Sequence, residues 1–248
     1  MRRAIALSFT LLLSVMPAGA QDWAEYKNVP DGFRVLFPGQ PKIEEIKWTS
    51  EMGYTLPARV YTANRGPERY SVTVVDYGPI EQQGIARRKA CPPGAETCIG
   101  SDLSGPGHWK HDVRGAMIFV TSKFLQRDAK LTHYLWNHQD LVEGHELQLT
   151  NNADQSRTFV FVGMHEMKLY VLEGTVPKGA PEPALFQSSA GWLDKEGNGI
   201  RYQTIYANQF YGLKEMPLPA RAGGGRGAGG GAQGQGGGGR RGGGPGGQ

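Results

Sequence analysis

Apolar and polar residues alternate along most of the stretch from Phe33 to Val176, and the period changes to a helical one in two places. Phe33-Arg-Val-Leu-Phe37 alternates and stops at Pro38-Gly39, which predicts a strand followed by a turn. Lys42 to Thr49 and Ala58 to Ala63 read as further strands. In Arg69 to Asp76, Tyr70, Val72 and Val74 line one face while Ser71 and Thr73 line the other. From His111 to Arg127 the period is helical. Val113, Ala116, Met117, Val120, Phe124 and Leu125 fall on one stripe, with Asp112 as N-cap. Four strands are predicted next, over 131–142, 145–150, 157–164 and 168–176, with Glu166-Met167 as the tip of the last hairpin. Phe159 to Val162 is apolar on both faces, as in a central strand. Pro181 to Leu193 reads as a second helix with Leu185, Phe186, Ser189, Trp192 and Leu193 inward, and Arg201 to Tyr206 as a last strand.

Strand runs followed by helix, given twice and without βαβ alternation, predict an α+β fold. It would have a mainly antiparallel sheet, two packed helices and a disordered Gly-rich tail. Residues 78–110 hold many Gly and Pro without a sustained period, and are read as a long loop bearing both cysteines.

The two ends depart from this pattern. Arg2 and Arg3 precede an apolar run from Ala4 to Val15, then Pro17 and Ala18-Gly19-Ala20. That is the layout of a secretory signal peptide cleaved after Ala20. The run is too short to span a bilayer, and Gln21 in place of Cys argues against a lipoprotein anchor. The expected location is periplasmic or secreted, with no membrane span in the mature protein. At the other end, 17 of the 26 residues from Gly223 to Gln248 are glycine. Such a stretch cannot offset its ordering entropy and is expected to stay a coil. The expected organisation is a signal peptide at 1–20, a single domain at 21–218 and a disordered Gly/Arg-rich tail at 219–248.

Charge follows the same boundaries. The chain carries +4; Arg2 and Arg3 account for two charges and Arg221, Arg226, Arg240 and Arg241 for four, which leaves the domain at −2. A basic chain is therefore no argument that the folded domain binds nucleic acid. The four tail arginines are candidate anion contacts, for weak and salt-sensitive binding to anionic polymers.

Cys91 and Cys98 form a close, even pair, expected as a disulfide in an exported protein. Their spacing does not fit a C-x-x-C redox motif. Read instead with His108 and His111, they form a C-x6-C-x9-H-x2-H series for zinc, outside the usual spacings. A cysteine-free set of His108 and His111 with Asp102 or Asp112 is the other metal option. The structural disulfide is favoured over both, and no cofactor is assigned.

Phe33-x-Val-x-Phe-Pro-Gly-x-Pro41, Tyr70-Ser-Val-Thr-Val-Val-Asp76, Gly144-His-Glu-Leu147, Lys168-Leu-Tyr-Val171 and a late helix with Phe186 and Trp192 resemble small exported bacterial proteins. Their fold is similar to the PsbP-like and DcrB-like group, an antiparallel sheet flanked by helices. The resemblance covers roughly residues 30 to 206. It implies a fold and carries no catalytic residue.

No Walker A loop, nucleophile elbow or S-x-x-K occurs. His145-Glu146 and His165-Glu166 begin like H-E-x-x-H but lack the second histidine and lie on strand patterns. His133, Asp140 and Glu143 share one segment and are the nearest approach to a catalytic triple. Tyr134, Trp136 and His138 share one strand face; sheet core under a helix is the favoured reading, and an exposed face for sugars or peptides the alternative. The expected function is that of an exported non-catalytic accessory or binding protein of the cell envelope, with an unnamed protein or ligand as partner. The alternatives are a metal-binding protein or enzyme with its site in 91–112, and anionic-polymer binding through the tail. An enzyme is the less favoured reading.

Overall fold

The computed structural model describes residues 23–90, 92–93 and 108–206. The segment expected as a signal peptide, Cys91, Cys98, Asp102 and the C-terminal segment with Arg221, Arg226, Arg240 and Arg241 lie outside the described residues.

The chain is α+β and mainly antiparallel. Its elements in order are β1 (Trp23–Asn28), β2 (Phe33–Pro38), β3 (Lys42–Thr49), β4 (Thr55–Arg65), β5 (Glu68–Asp76), α1 (Ile80–Lys89), α2 (His108–Leu125), β6 (Ala129–Gln139), β7 (Val142–Asn151), β8 (Arg157–His165), β9 (Lys168–Val176), α3 (Ala184–Ser189) and β10 (Gly191–Trp192). Seven strands form one sheet in the order β3-β4-β5-β9-β8-β7-β6, and β1-β2-β10 form a small second sheet. All named pairings are antiparallel. Among the described residues, no helix is long and apolar enough to cross a membrane.

Alternation along the strands divides the apolar residues between two cores. On one face of the large sheet, Leu56, Val75, Leu147, Leu149, Val160, Val162, Leu169 and Val171 pack beneath Val113, Ala116, Met117, Val120 and Phe124 of α2 and Ile80 of α1. On the other, Tyr61, Tyr70, Val72, Phe161, Tyr170 and Leu172 pack against Phe33, Val35 and Phe37 of β2, with Phe186 and Trp192. Central β8 is buried along nearly its whole length because it serves both cores. Helix α1 lies against α2 through Gly84: a Cβ there would stand 2.9 Å from the Trp109 ring.

Two tight hairpins set the register of the β6–β9 half. Asp140-Leu141 joins β6 to β7, and Glu166-Met167 joins β8 to β9. All four residues have positive φ, as a two-residue turn matching strand twist requires.

Several expectations change. The 78–110 segment is not loop throughout, because α1 occupies Ile80–Lys89; three glutamines and glutamates with three basic residues hide its weak apolar stripe. The helix expected over 181–193 is confined to Ala184–Ser189, since β10 at Gly191–Trp192 pairs with Arg34 and Phe33. Leu185 is 54% exposed, whereas Phe186, Trp192 and Leu193 are buried. Residues 201–206 contribute one bridge, Val142 to Tyr206, in place of a strand. Asp112 is no cap: it sits inside α2 and is fully buried. Leu125 falls outside the buried stripe. Strand β1 carries a mixed pattern and was not expected.

Candidate functional site

Strand β6 ends the large sheet, and its side chains are largely exposed on both faces. Its partner β7 orients them. Tyr134 lies opposite Leu147 and Trp136 opposite His145, so both rings stand on the face that carries α2. Helix α2 does not reach over them. Tyr134 remains 48% exposed and Trp136 54% exposed, which overturns the core reading of the Tyr134, Trp136 and His138 face. The physical reason is lateral: α2 packs over the middle strands, and β6 lies beyond its edge.

Helix α2 meets β7, the partner of β6. Thr121 Oγ1 and His145 Nδ1 are 2.8 Å apart, which fixes the flank of α2 that faces β7. Ile118 and Leu125 are three and four residues from Thr121 and share that flank. Both are exposed, Ile118 to 66%. Sequence periodicity missed Ile118, although an isoleucine at an outward helical position is itself a signal. Ile118, Leu125, Leu131, Tyr134 and Trp136 are thus exposed apolar residues on the side of the sheet that carries α2.

Polar atoms hold the rings in place. The His145 ring meets Tyr134 edge-on at 5.7 Å, and the His138 ring meets Trp136 at 6.3 Å. Trp136 Nε1 donates to Glu143 Oε2 at 3.3 Å. Burial lowers the His145 pKa, only partly offset by Glu143, so the imidazole is neutral near pH 7. Flat rings with polar rims suit stacking on sugar or peptide groups.

Other sequence candidates do not converge. His133 is on the opposite sheet face from Glu143, so the His133, Asp140 and Glu143 triple is not assembled. His108 and His111 are both exposed on the first turn of α2, while Asp112 points inward and accepts from Ser50 Oγ and, at 3.3 Å, from Met52 N. Burial raises the Asp112 pKa, and Oδ1 has no hydrogen-bond partner among the described residues. Among those residues no three His, Cys, Asp or Glu side chains are grouped to hold a metal ion. His145 and His165 lie on β7 and β8, where the geometry of a helical H-E-x-x-H fails.

Two buried polar clusters hold the small sheet to the large one. Asp31, in the β1–β2 turn, accepts from Arg59 Nε at 2.7 Å and also from Arg59 Nη2 and Tyr61 Oη. Its backbone oxygen accepts from Tyr170 Oη at 2.6 Å. Burial, and then the Asp31 contact, push the Tyr61 hydroxyl pKa well up. Beside it, across the Tyr170–Trp192 ring contact at 4.8 Å, His165 Nε2 and Tyr202 Oη are 2.5 Å apart, and the imidazole lies 5.0 Å from the rings of both Trp192 and Tyr206. Burial first, and Lys168 second, depress the His165 pKa to about 4. These clusters tie the small sheet to the large one, whereas Tyr134 and Trp136 on β6 are exposed.

No protein-family model matches the chain, and no curated protein matches it in sequence. Among solved structures it is similar to the solution structure of cyanobacterial PsbP (CyanoP) from Synechocystis sp. PCC 6803, at 16% identity and a TM-score of 0.34, covering 67% of this chain and 86% of that one. At that score the likeness carries no argument about function.

Proposed function

We propose that this chain is an exported, non-catalytic α+β module that acts as an accessory or binding protein of the cell envelope. The basic tail would be a flexible extension, and the partner would be engaged through the β6 face. The observation that carries this reading is the exposure of Tyr134 and Trp136 on one face of the sheet-edge strand β6. Contiguous exposed apolar surface rimmed by polar groups marks interaction sites, and aromatic anchors dominate the energetics of such sites. The leader-like pattern of residues 1–20 supports export.

The test compares wild type with the Tyr134→Ala/Trp136→Ala double variant as bait for an envelope fraction at moderate salt. Both rings are half exposed, so the variant should fold normally. An envelope component held by wild type and released by the variant supports the reading. Equal retention by both proteins, or retention that depends only on residues 219–248, refutes it.

A further inference from the structure

A polar cavity lies where the small sheet, the β6–β7 turn and the chain after β10 meet. Lys27, Arg34, Asp140, Leu193, Arg201 and Tyr202 line it, and its volume is about 510 Å³. Strand register brings the first two together. Lys27 stands opposite Arg34 across β1 and β2, and Arg34 opposite Gly191 across β2 and β10, so the three form one row. Like charges directly opposed on a sheet cost stability. Glu25 relieves them, at 3.0 Å from Lys27 Nζ and 2.9 Å from Arg34 Nη1.

That pairing uses one side of the Arg34 guanidinium. The other side, Nε and Nη2, lies across Gly191. A Cβ at Gly191 would stand 2.8 Å from Nε, 3.2 Å from Nη2 and 3.0 Å from Asp140 Oδ2. Glycine therefore keeps open a gap flanked by a guanidinium and a carboxylate. Arg34 Nε is buried and has no hydrogen-bond partner among the described residues. A buried donor is costly to leave without an acceptor. Lys27, Arg34 and Arg201 bring three positive charges against Asp140 and Glu25, so one positive charge is unmatched.

The walls are tied to one another through the fold. Trp192 Nε1 donates to Gln139 O at 2.8 Å and Gln139 Nε2 to Ala190 O at 3.1 Å, which holds the Asp140 turn against β10. Tyr206 N donates to Leu141 O at 2.8 Å and Ile200 N to Trp192 O at 2.9 Å, which holds the segment of Arg201 and Tyr202 to the same two elements. Polar groups fixed in advance need little ordering when a small ligand binds.

We propose that this cavity binds a carboxylate with a hydrogen-bond donor on its α-carbon, as in an α-hydroxy acid or at a peptide C-terminus. The carboxylate accepts from the Nε–Nη2 side of Arg34, a bidentate match. Arg201 supplies the balancing charge. The α-donor meets Asp140, which repels a carboxylate without such a donor and repels a phosphate dianion more strongly. The site uses none of the exposed rings of β6, and it stands whether or not that face engages a partner.

The Arg34 Nε–H signal, followed by heteronuclear NMR in the full-length chain and assigned by its loss in Arg34→Lys, reads this site apart from the other arginines. The probes are lactate, propionate, N-acetylalanine, N-acetylalaninamide and inorganic phosphate. Lactate or N-acetylalanine should shift the signal saturably. Propionate, the amide and phosphate should each bind about tenfold more weakly or less, which is the worth of one charge-assisted bond. A response to lactate alone makes small hydroxy acids the source, and a response to N-acetylalanine makes it a peptide C-terminus. Arg201 is exposed, so Arg201→Gln should fold, and it should weaken binding about tenfold. Gly191→Ala should abolish the shift with an unchanged circular dichroism spectrum, because its methyl displaces only the ends of the Arg34 and Asp140 side chains. An Arg34 signal that neither acid moves overturns the proposal. So does equal binding of propionate or phosphate, or full affinity in Arg201→Gln.

Discussion

Protonation of His165 should be the main way that mild acid loosens this fold. The imidazole is buried among Trp192, Tyr202 and Tyr206 at the end of β8, where the small sheet meets the large one. Its pKa falls from an ordinary 6.5 to about 4, chiefly through burial and then through Lys168. The unfolded chain binds a proton near pH 6.5, and the folded chain does not until about pH 4. Between those values the unfolded state holds more protons, so stability falls as pH falls. At about 1.4 kcal/mol per pH unit across that window, the loss approaches about 3 kcal/mol. That is a large share of a typical domain's stability. Urea unfolding at half-unit steps from pH 7.5 to 4 measures it. His165→Gln removes the titration and retains a group for the Tyr202 hydroxyl. The variant should be less stable than wild type at pH 7, by about 1–2 kcal/mol from lost ring packing. Its disadvantage should shrink or reverse by pH 4.5. Exposed carboxylates and His145 titrate in both proteins and cancel in the difference. Parallel curves from pH 7 to 4.5 would refute the reasoning.

Two further outcomes follow from the buried carboxylates. Asp31→Ala leaves the Arg59 guanidinium and Tyr61 hydroxyl without their acceptor; because Arg59 is 38% exposed and can rehydrate, the cost should be about 2–3 kcal/mol, read from the urea midpoint at pH 7. Asp112 has a raised pKa because it is buried, so the folded state keeps its proton longer than the unfolded state. Its effect on stability therefore declines as pH rises from 3.8 through the folded value. Asp112→Asn should gain in melting temperature relative to wild type between pH 4 and 7, and a constant difference would count against this account.

Much of the fold was legible because strand faces here are cleanly sorted. Tyr70, Val72 and Val74, with Ser71 and Thr73 between them, required a strand, and β5 is one. Phe159 to Val162 required burial on both faces, and β8 is central. The Glu166-Met167 turn also sits where the pattern placed it. Errors fell where local pattern was weak. Charged residues masked α1, and Trp192 was drawn into a helix although its backbone pairs with β2.

What the sequence alone determined was alternation: which residues share a face, where turns interrupt, and that strands dominate. It could not determine which faces are covered. Tyr134 and Trp136 have the periodicity of buried residues, and Leu147 and Leu149 have the same one. Leu147 and Leu149 are buried because β7 lies within the cover of α2; Tyr134 and Trp136 are exposed because β6 lies one strand further out. Burial depends on strand order and on the width of the layer above, both set by contacts distant in sequence. A period of two distinguishes the two sides of a strand, and only tertiary packing decides which side meets water.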